Sequence, residues 1–277
     1  MNPENRAQRD LVDLQKNLRA VVALSQRAYP LTIRRSSHLR FMLAAFAIKQ
    51  NEHANSLLKL GSSPDTMLIA RTMLEGLSQM LWAAKRPRQR PLLWRSFAFV
   101  HDWRQIQEHR ASGRSIDPQV ERSVWVGLRR FGNRFLTRQA KVSRAAGNVL
   151  PADPYWKNWY GESESEILRD VGGQDLLRQA YGPFFGMAPL AHRGDWPARV
   201  IRRDSRAVYN ADFRSFRCRH GHRLCIPCLW QTMQLLNARC RLGMGRELQS
   251  LKYLQLSLAK RRGARQQISA TSVSCQY

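Results

Sequence analysis

Two groups of side chains in this sequence have residue types and spacings that suit chemistry. In the first, Arg71, Glu75 and Ser78 fall within about 60° of one another on one predicted helix, and Thr72 and Gln79 extend the same strip. The rest of that helix is apolar nearly all round, so we expect the strip to be at least partly buried in a bundle. An arginine and a glutamate four residues apart can pair, and a buried pair requires further partners. The strip is therefore either an ion pair that fixes helix packing or a ligand or catalytic site.

The second group is a run of cysteines and histidines near the C-terminal end, with Cys218, His222, Cys225 and Cys228 as candidate metal ligands. Thiolates and imidazoles bind zinc, and Cys225 and Cys228 have the two-residue separation of a zinc knuckle. Most structural zinc sites take two ligand pairs from separated turns, whereas here the second pair would come from the residues directly before. Zinc is one interpretation, and unpaired residues in an irregular segment are the other. No further cofactor is predicted, because the common nucleotide-binding motifs are absent.

Positive charge is the most prominent property of the composition. The 277 residues include 46 lysines and arginines and 20 acidic residues, a net charge of +26, and 38 of the basic residues are arginine. Such a charge attracts polyanions, so nucleic acid, and RNA in particular, is the first partner to consider. A GC-rich coding sequence would produce the same arginine content without selection for binding. Within the predicted helix after Pro118, we expect Arg130, Arg134 and Lys141 to contact phosphates or to form a solvated surface.

The elements that must position these groups are helices, since apolar residues recur at spacings of three and four. We predict an all-α fold, a bundle of about six to eight helices. Residues 1–186 form its core, 187–225 are an irregular arginine-rich segment, 226–260 are C-terminal helices that pack on the bundle, and 261–277 are a frayed tail. After Pro118, one side of the helical wheel carries a set of residues predicted to face the core: Val120, Val124, Leu128, Phe131, Phe135 and Val142.

The sequence also indicates a compartment. Its longest apolar run, 41–48, has eight residues, against the roughly 20 of a membrane-spanning helix, so we expect no membrane association. The first residues lack the basic start and apolar stretch of a signal peptide. Five cysteines, an odd number, do not suit a secreted disulfide framework. These features favour a cytoplasmic protein, and a homo-oligomer is compatible with them.

The order of several motifs resembles an uncharacterised bacterial family of helical proteins, a domain of unknown function. The motifs are a leucine-rich helix ending at 56–61, the stretch Ala70 to Gly76 containing Arg71 and Glu75, and then Tyr181 and His192, so the resemblance covers about residues 35–192. Such proteins are broadly similar to the HEPN group, in which an arginine and a histidine separated by four to six residues can cleave RNA. Arg104 and His109 have this spacing on a predicted helix.

The resemblance implies a protein that binds or cleaves RNA in stress or defence. Arg71 would contact phosphate, Glu75 would orient the arginine, Tyr181 would assist binding, and His192 or His109 would carry the proton. The alternative is a non-enzymatic protein-interaction module, in which Arg71 and Glu75 only fix packing. The sequence does not decide whether the protein is an enzyme.

Overall fold

The computed structural model of the chain describes residues 3–28, 37–63, 65–172, 200–203, 206–209 and 211–251. Helices dominate this part of the chain, which confirms the predicted all-α bundle. They are α1 (Pro3–Ala28), α2 (His38–Leu60), α3 (Thr66–Lys85), α4 (Arg90–Ala111), α5 (Pro118–Phe131), α6 (Arg138–Ala145), α7 (Glu164–Asp170), α8 (Ala211–Cys240) and α9 (residues 245–251). A 3-10 turn, Gly132–Phe135, connects α5 to α6. No described helix has the length and apolar content required to cross a bilayer.

The largest core lies between α1, α2, α3 and α8. Each helix contributes an apolar stripe, and the residues at its centre are fully buried: Leu18, Leu43, Leu57, Met73, Leu77, Leu229 and Met233. Burying one such side chain contributes roughly 1.5–3 kcal/mol. Helix α3 contacts both α2 and α8 along its length, so only a narrow strip of α3 is left at the surface.

A second, aromatic region lies beyond α3, where α4 packs against α2, α3 and α5. Phe97, Phe135 and Trp156 contact one another edge to face, with centroid distances of 5.3 Å and 5.8 Å to Phe135. The loop after α6 is attached by Arg104, which donates hydrogen bonds to Asp153 and to the carbonyl of Trp156. Arg104 therefore has a structural role.

The predicted irregular segment 187–225 differs from the structure. An antiparallel hairpin, Val200–Arg203 with Arg206–Tyr209, precedes α8, and α8 begins at Ala211 and runs through Pro227 without a break at 225. The segment was predicted to be irregular because arginine, proline, glycine and histidine accumulate in it, and Cys218, His222 and Cys225 were not counted as apolar positions of a helix. They are fully buried and continue the apolar stripe of Leu229 at helical spacing. Residues 187–199 and the tail 261–277 lie outside the described residues.

The region after Pro118 also differs from its predicted form. The helix stops at Phe131, and a second helix begins after Thr137, whose hydroxyl accepts a hydrogen bond from Ala140 N. Val124, Leu128 and Phe135 are buried as expected. Val120 and Val142 are 51% and 63% exposed, so the prediction that they face a core is wrong. The change of axis at the 3-10 turn rotates Val142 away from the α5 stripe.

Candidate functional site

The polar strip of α3 runs from the surface of the bundle into its interior. Arg71 Nε donates to Glu75 Oε1 at 2.9 Å, and these two side chains are 44% and 31% exposed. Ser78, one turn further, is only 1% exposed. The strip is therefore partly buried, as predicted, and its arginine end lies at the surface, because α2 and α8 cover the flanks of α3 but not the turn that carries the arginine.

Helix α7 supplies the partners of the buried end of this strip. Ser78 Oγ donates to the Glu164 carboxylate, and the Tyr160 hydroxyl donates to the same carboxylate at 3.2 Å. Trp159 Nε1 donates to Gln79 Oε1 at 3.1 Å. Burial raises the pKa of Glu164; the Ser78 hydrogen bond opposes this shift, and the nearby Glu75 carboxylate adds to it. Five polar side chains, two from α3 and three from the segment 159–164, are thus connected by hydrogen bonds.

A small cavity of about 200 Å³ opens beside Glu75, between α2 and α3. Its wall includes Lys49, His53, Gln50 and the Cβ-free Gly76, where an added Cβ would lie 2.7 Å from Gln50 Nε2. Burial lowers the pKa of His53, and the Lys49 charge lowers it further while Glu52 opposes the shift. A largely neutral imidazole and a carboxylate line the same cavity, and both are groups that can transfer protons.

The predicted zinc site is not assembled. Cys218, His222, Cys225 and Cys228 all lie on α8, and among the residues that the structure describes no three potential ligands converge on a metal position. The helix directs them to other partners: Cys218 Sγ donates to Gly61 O at 2.9 Å, and Cys225 Sγ donates to Met73 Sδ at 3.1 Å. Burial raises the pKa of Cys228 to about 12, so its thiol stays protonated. These residues contribute to the core instead.

Helix α8 approaches α3 closely at Gly221. A Cβ at this position would lie 2.9 Å from the carbonyl carbon and from Oγ1 of Thr66, at the start of α3. Only glycine permits this backbone approach. The close packing fixes the first turn of α3 and, through it, the turn that carries Arg71.

A concentration of positive charge lies on α5, the 3-10 turn and α6. Seven basic side chains between residues 118 and 145 are all exposed, and we call them the basic cluster: Arg122, Arg129, Arg130, Arg134, Arg138, Lys141 and Arg144. The same stretch contains one acidic residue, Glu121, and its carboxylate accepts hydrogen bonds from Arg110 and Trp125. Within the described part of the chain, no salt bridge involves the seven cations.

Aromatic rings lie beneath part of this cluster. The guanidinium groups of Arg130 and Arg134 lie 5.1 Å and 5.8 Å from the centroid of Phe131, and Lys141 Nζ lies 5.9 Å from that of Trp156. Contacts of this kind orient a cation over a ring face without neutralising its charge. Three of the predicted phosphate contacts, Arg130, Arg134 and Lys141, therefore belong to one exposed surface.

The other predicted site residues are not brought together. His109 is exposed in the last turn of α4, and it does not line the cavity beside Glu75. Tyr181 and His192 lie outside the described residues. Of the four predicted catalytic residues, only Arg71 and Glu75 are shown in contact, and they are neighbours on one helix.

Sequence reasoning missed Glu164, whose partner Ser78 lies 86 residues away. The local signal at this point is a capping box, since Ser163 and Glu166 exchange hydrogen bonds at the start of α7. That signal predicts a helix start and nothing about a contact with α3. Comparisons of the chain with protein-family models, with curated proteins and with solved structures give no match in any of the three.

Proposed function

We propose that this protein binds RNA through the basic cluster on α5 and α6. The observation that carries the proposal is the local imbalance of charge: seven exposed cations accompany one carboxylate, and Arg110 of α4 already contacts that carboxylate. Elsewhere in the fold, carboxylates contact several of the cations, as Asp170 contacts Lys85 and Arg90. A polyanion is the ligand that such a surface attracts.

On a helical wheel, the arginines of α5 share one face of the helix. Arg122, Arg129 and Arg130 fall within about 100° on α5, on the side opposite buried Val124 and Leu128. A nucleic-acid backbone that follows this side can contact several cations at once. Each neutralised phosphate releases counterions, so affinity would fall steeply with salt.

RNA cleavage stays a prediction of the HEPN resemblance. Its proposed residues are an exposed i,i+4 pair on α3 and a histidine at the end of α4, with no contact between the pair and that histidine among the described interactions. The alternative of a protein-interaction module is weaker for the basic cluster, because protein partners rarely offer a row of negative charges as regular as a phosphate backbone.

The test is a titration of labelled RNA at 50 and 200 mM salt with the wild type and with the triple variant Arg129→Gln/Arg130→Gln/Arg134→Gln. We expect the triple variant to lose about 10- to 100-fold in affinity at the lower salt. The slope of log K against log salt should become shallower by about 2, since each phosphate contact to a single strand contributes about 0.7.

A matched control removes the same charge elsewhere. Arg19, Arg27 and Lys59 are exposed on α1 and α2, so Arg19→Gln/Arg27→Gln/Lys59→Gln lowers the net charge equally without touching the basic cluster. This variant should keep its affinity within about threefold. Equal losses in both triple variants would show that net charge alone governs binding, and absence of binding by the wild type would remove the proposal.

A further inference from the structure

A groove between α4 and α5 lies within the basic cluster. It has a volume of about 500 Å³, and its floor is formed by Phe99, Phe131, Val126 and the backbone of Gly127. Arg122 and Arg130 line it as well, and none of its lining residues is acidic. Val126 is 61% exposed, so apolar surface in the groove is open to solvent.

The aromatic floor depends on Gly127. A Cβ at this position would lie 2.3 Å from the ring of Phe99, so only glycine lets that ring lie against the backbone of α5. Phe99 in turn is parallel to Phe131, with 4° between the ring planes and 6.0 Å between centroids. Phe99 and Phe131 therefore contribute two parallel, half-buried rings to the lining of the groove.

The arginines of the groove are spaced along α5. Arg122 and Arg130 are eight residues apart, which places them about 12 Å apart along the axis of α5. Arg134 lies over the ring of Phe131 from the 3-10 turn. An apolar, aromatic floor with cations along its length is complementary to a strand that presents both bases and phosphates.

We infer that this groove accepts unstacked bases of single-stranded RNA, while the arginines contact the adjoining phosphates. The inference rests on the proposed RNA binding and adds the form of the RNA. In a duplex the bases are stacked on one another and their faces are not accessible, so a duplex can use the cations but not the aromatic floor. Bases stack on aromatic side chains with little dependence on sequence.

The experiment compares an unstructured single-stranded RNA of about 20 nucleotides with a duplex of the same sequence, at matched salt. The wild type should bind the single strand about tenfold or more tightly than the duplex. Phe131→Leu keeps an apolar side chain in the floor and removes the aromatic ring, so it should weaken single-strand binding about 5- to 20-fold. Because Arg130 and Arg134 lie over this ring, duplex binding should fall as well, but by no more than about threefold.

A second variant protects the test against misfolding of Phe131→Leu. Val126→Ser changes an exposed residue that lines the groove. It should weaken single-strand binding about threefold and leave the affinity for the duplex unchanged. Val142→Ser is the matched control, because Val142 is equally exposed on α6 but does not line the groove. It should change neither affinity.

Two outcomes overturn the inference and leave the proposed RNA binding intact: equal affinity for the two RNAs, or equal losses on both RNAs in the floor variants. A different outcome, tight binding of poly-glutamate that competes with the single strand and is weakened by Phe131→Leu, would assign the groove to an acidic polypeptide. Failure to bind either RNA would refute the proposed function itself.

Discussion

Helices α3 and α5 both carry charged side chains at helical spacing, but their surroundings differ. Helix α3 lies between α2 and α8, and its polar strip contacts groups of opposite or complementary type: Arg71 with Glu75, and Ser78 with Glu164. Helix α5 packs on α4 with one side, and its other side carries arginines that form no salt bridge within the described residues, since the carboxylate of the helix, Glu121, contacts Arg110.

The comparison shows how to separate charge that supports a fold from charge that is available to a ligand. A side chain that already has a partner inside the protein must give up that contact to bind a ligand, which reduces the free energy gained on binding. Exposed cations that form no salt bridge keep their charge available for a phosphate, even where they lie over a ring, as Arg130 and Arg134 do. We therefore expect substitutions around α3 to change stability and substitutions on α5 to change RNA affinity.

The largest effect on stability should come from a substitution that disturbs the close packing of α3 against α8. Gly221→Ala places a Cβ 2.9 Å from backbone and side-chain atoms of Thr66, and a backbone cannot move aside without shifting the first turn of α3. Overpacking of this kind costs typically 1–3 kcal/mol, only partly offset by the higher helix propensity of alanine. We expect Tm to fall by about 3–6 °C in a thermal melt.

The control for this change is Gly245→Ala. Gly245 begins α9, and an added Cβ there would meet no atom within 4 Å. Its Tm should stay within about 1–2 °C of the wild type. RNA affinity should be unchanged in both variants. A lower affinity in Gly221→Ala, measured well below its Tm, would show that α3 and α5 are not independent.

A smaller effect on stability is expected from substitution of Glu164, the residue of α7 that accepts a hydrogen bond from Ser78. Its pKa is raised above the ordinary value of 4.5, chiefly by burial, so the folded protein retains this proton to higher pH than the unfolded chain does. The folded state then binds more protons in the range between the two pKa values. Stability due to this group is accordingly present at low pH and is lost as pH rises through that range.

Glu164→Gln removes the ionisation and keeps the oxygen that accepts a hydrogen bond from Ser78, while its amide nitrogen replaces the oxygen that accepts from Tyr160 and can donate to the Tyr160 hydroxyl instead. The Tm of this variant relative to the wild type should rise with pH from about 4 to 7, by on the order of 2 °C. Glu166→Gln is the comparison on the same helix, because Ser163 lowers the pKa of exposed Glu166 and the sign of the trend should reverse. A flat difference for Glu164→Gln would mean that the carboxyl is ionised in the fold as it is in water.

Helical spacing in the sequence was enough to predict the class of fold, and the reason is visible in α1 and α2. Their apolar residues repeat on one side and are buried on that side in the structure. The same reasoning failed at α8, where the buried stripe includes His222 and three cysteines. Residue type suggested an irregular segment and a metal site, because histidine and cysteine were not counted as apolar positions of a helix.

The site was less predictable, because it depends on contacts distant in sequence. The i,i+4 relation of Arg71 and Glu75 follows from the helix alone, but the exposure of Arg71 depends on which flanks α2 and α8 cover. The basic cluster was indicated by charge and by the wheel after Pro118. The groove between α4 and α5 was not indicated by the sequence, because it requires Phe99 of α4 to lie against Gly127 of α5.

The smallest effect on stability should come from substitution of Arg71 and Glu75, the pair with which the sequence analysis began. Arg71 and Glu75 form one hydrogen-bonded pair with a half-exposed guanidinium, and exposed pairs at this spacing contribute about 0.3–0.5 kcal/mol. In a double-mutant cycle with Arg71→Ala and Glu75→Ala, we expect a coupling energy of that size from denaturant unfolding, and unchanged RNA affinity in both single variants.

The same variants decide between a structural and a catalytic role for α3. If labelled RNA stays intact with the wild type over hours, or is cut equally by wild type and Arg71→Ala, then Arg71 acts only within the fold. Cleavage by the wild type that disappears in Arg71→Ala, with stability changed by no more than the coupling energy, would instead place the chemistry on α3. The cavity that holds His53 beside Glu75 would then be the place for the proton carrier, and the distinction between a structural α3 and a ligand-binding α5 would not hold.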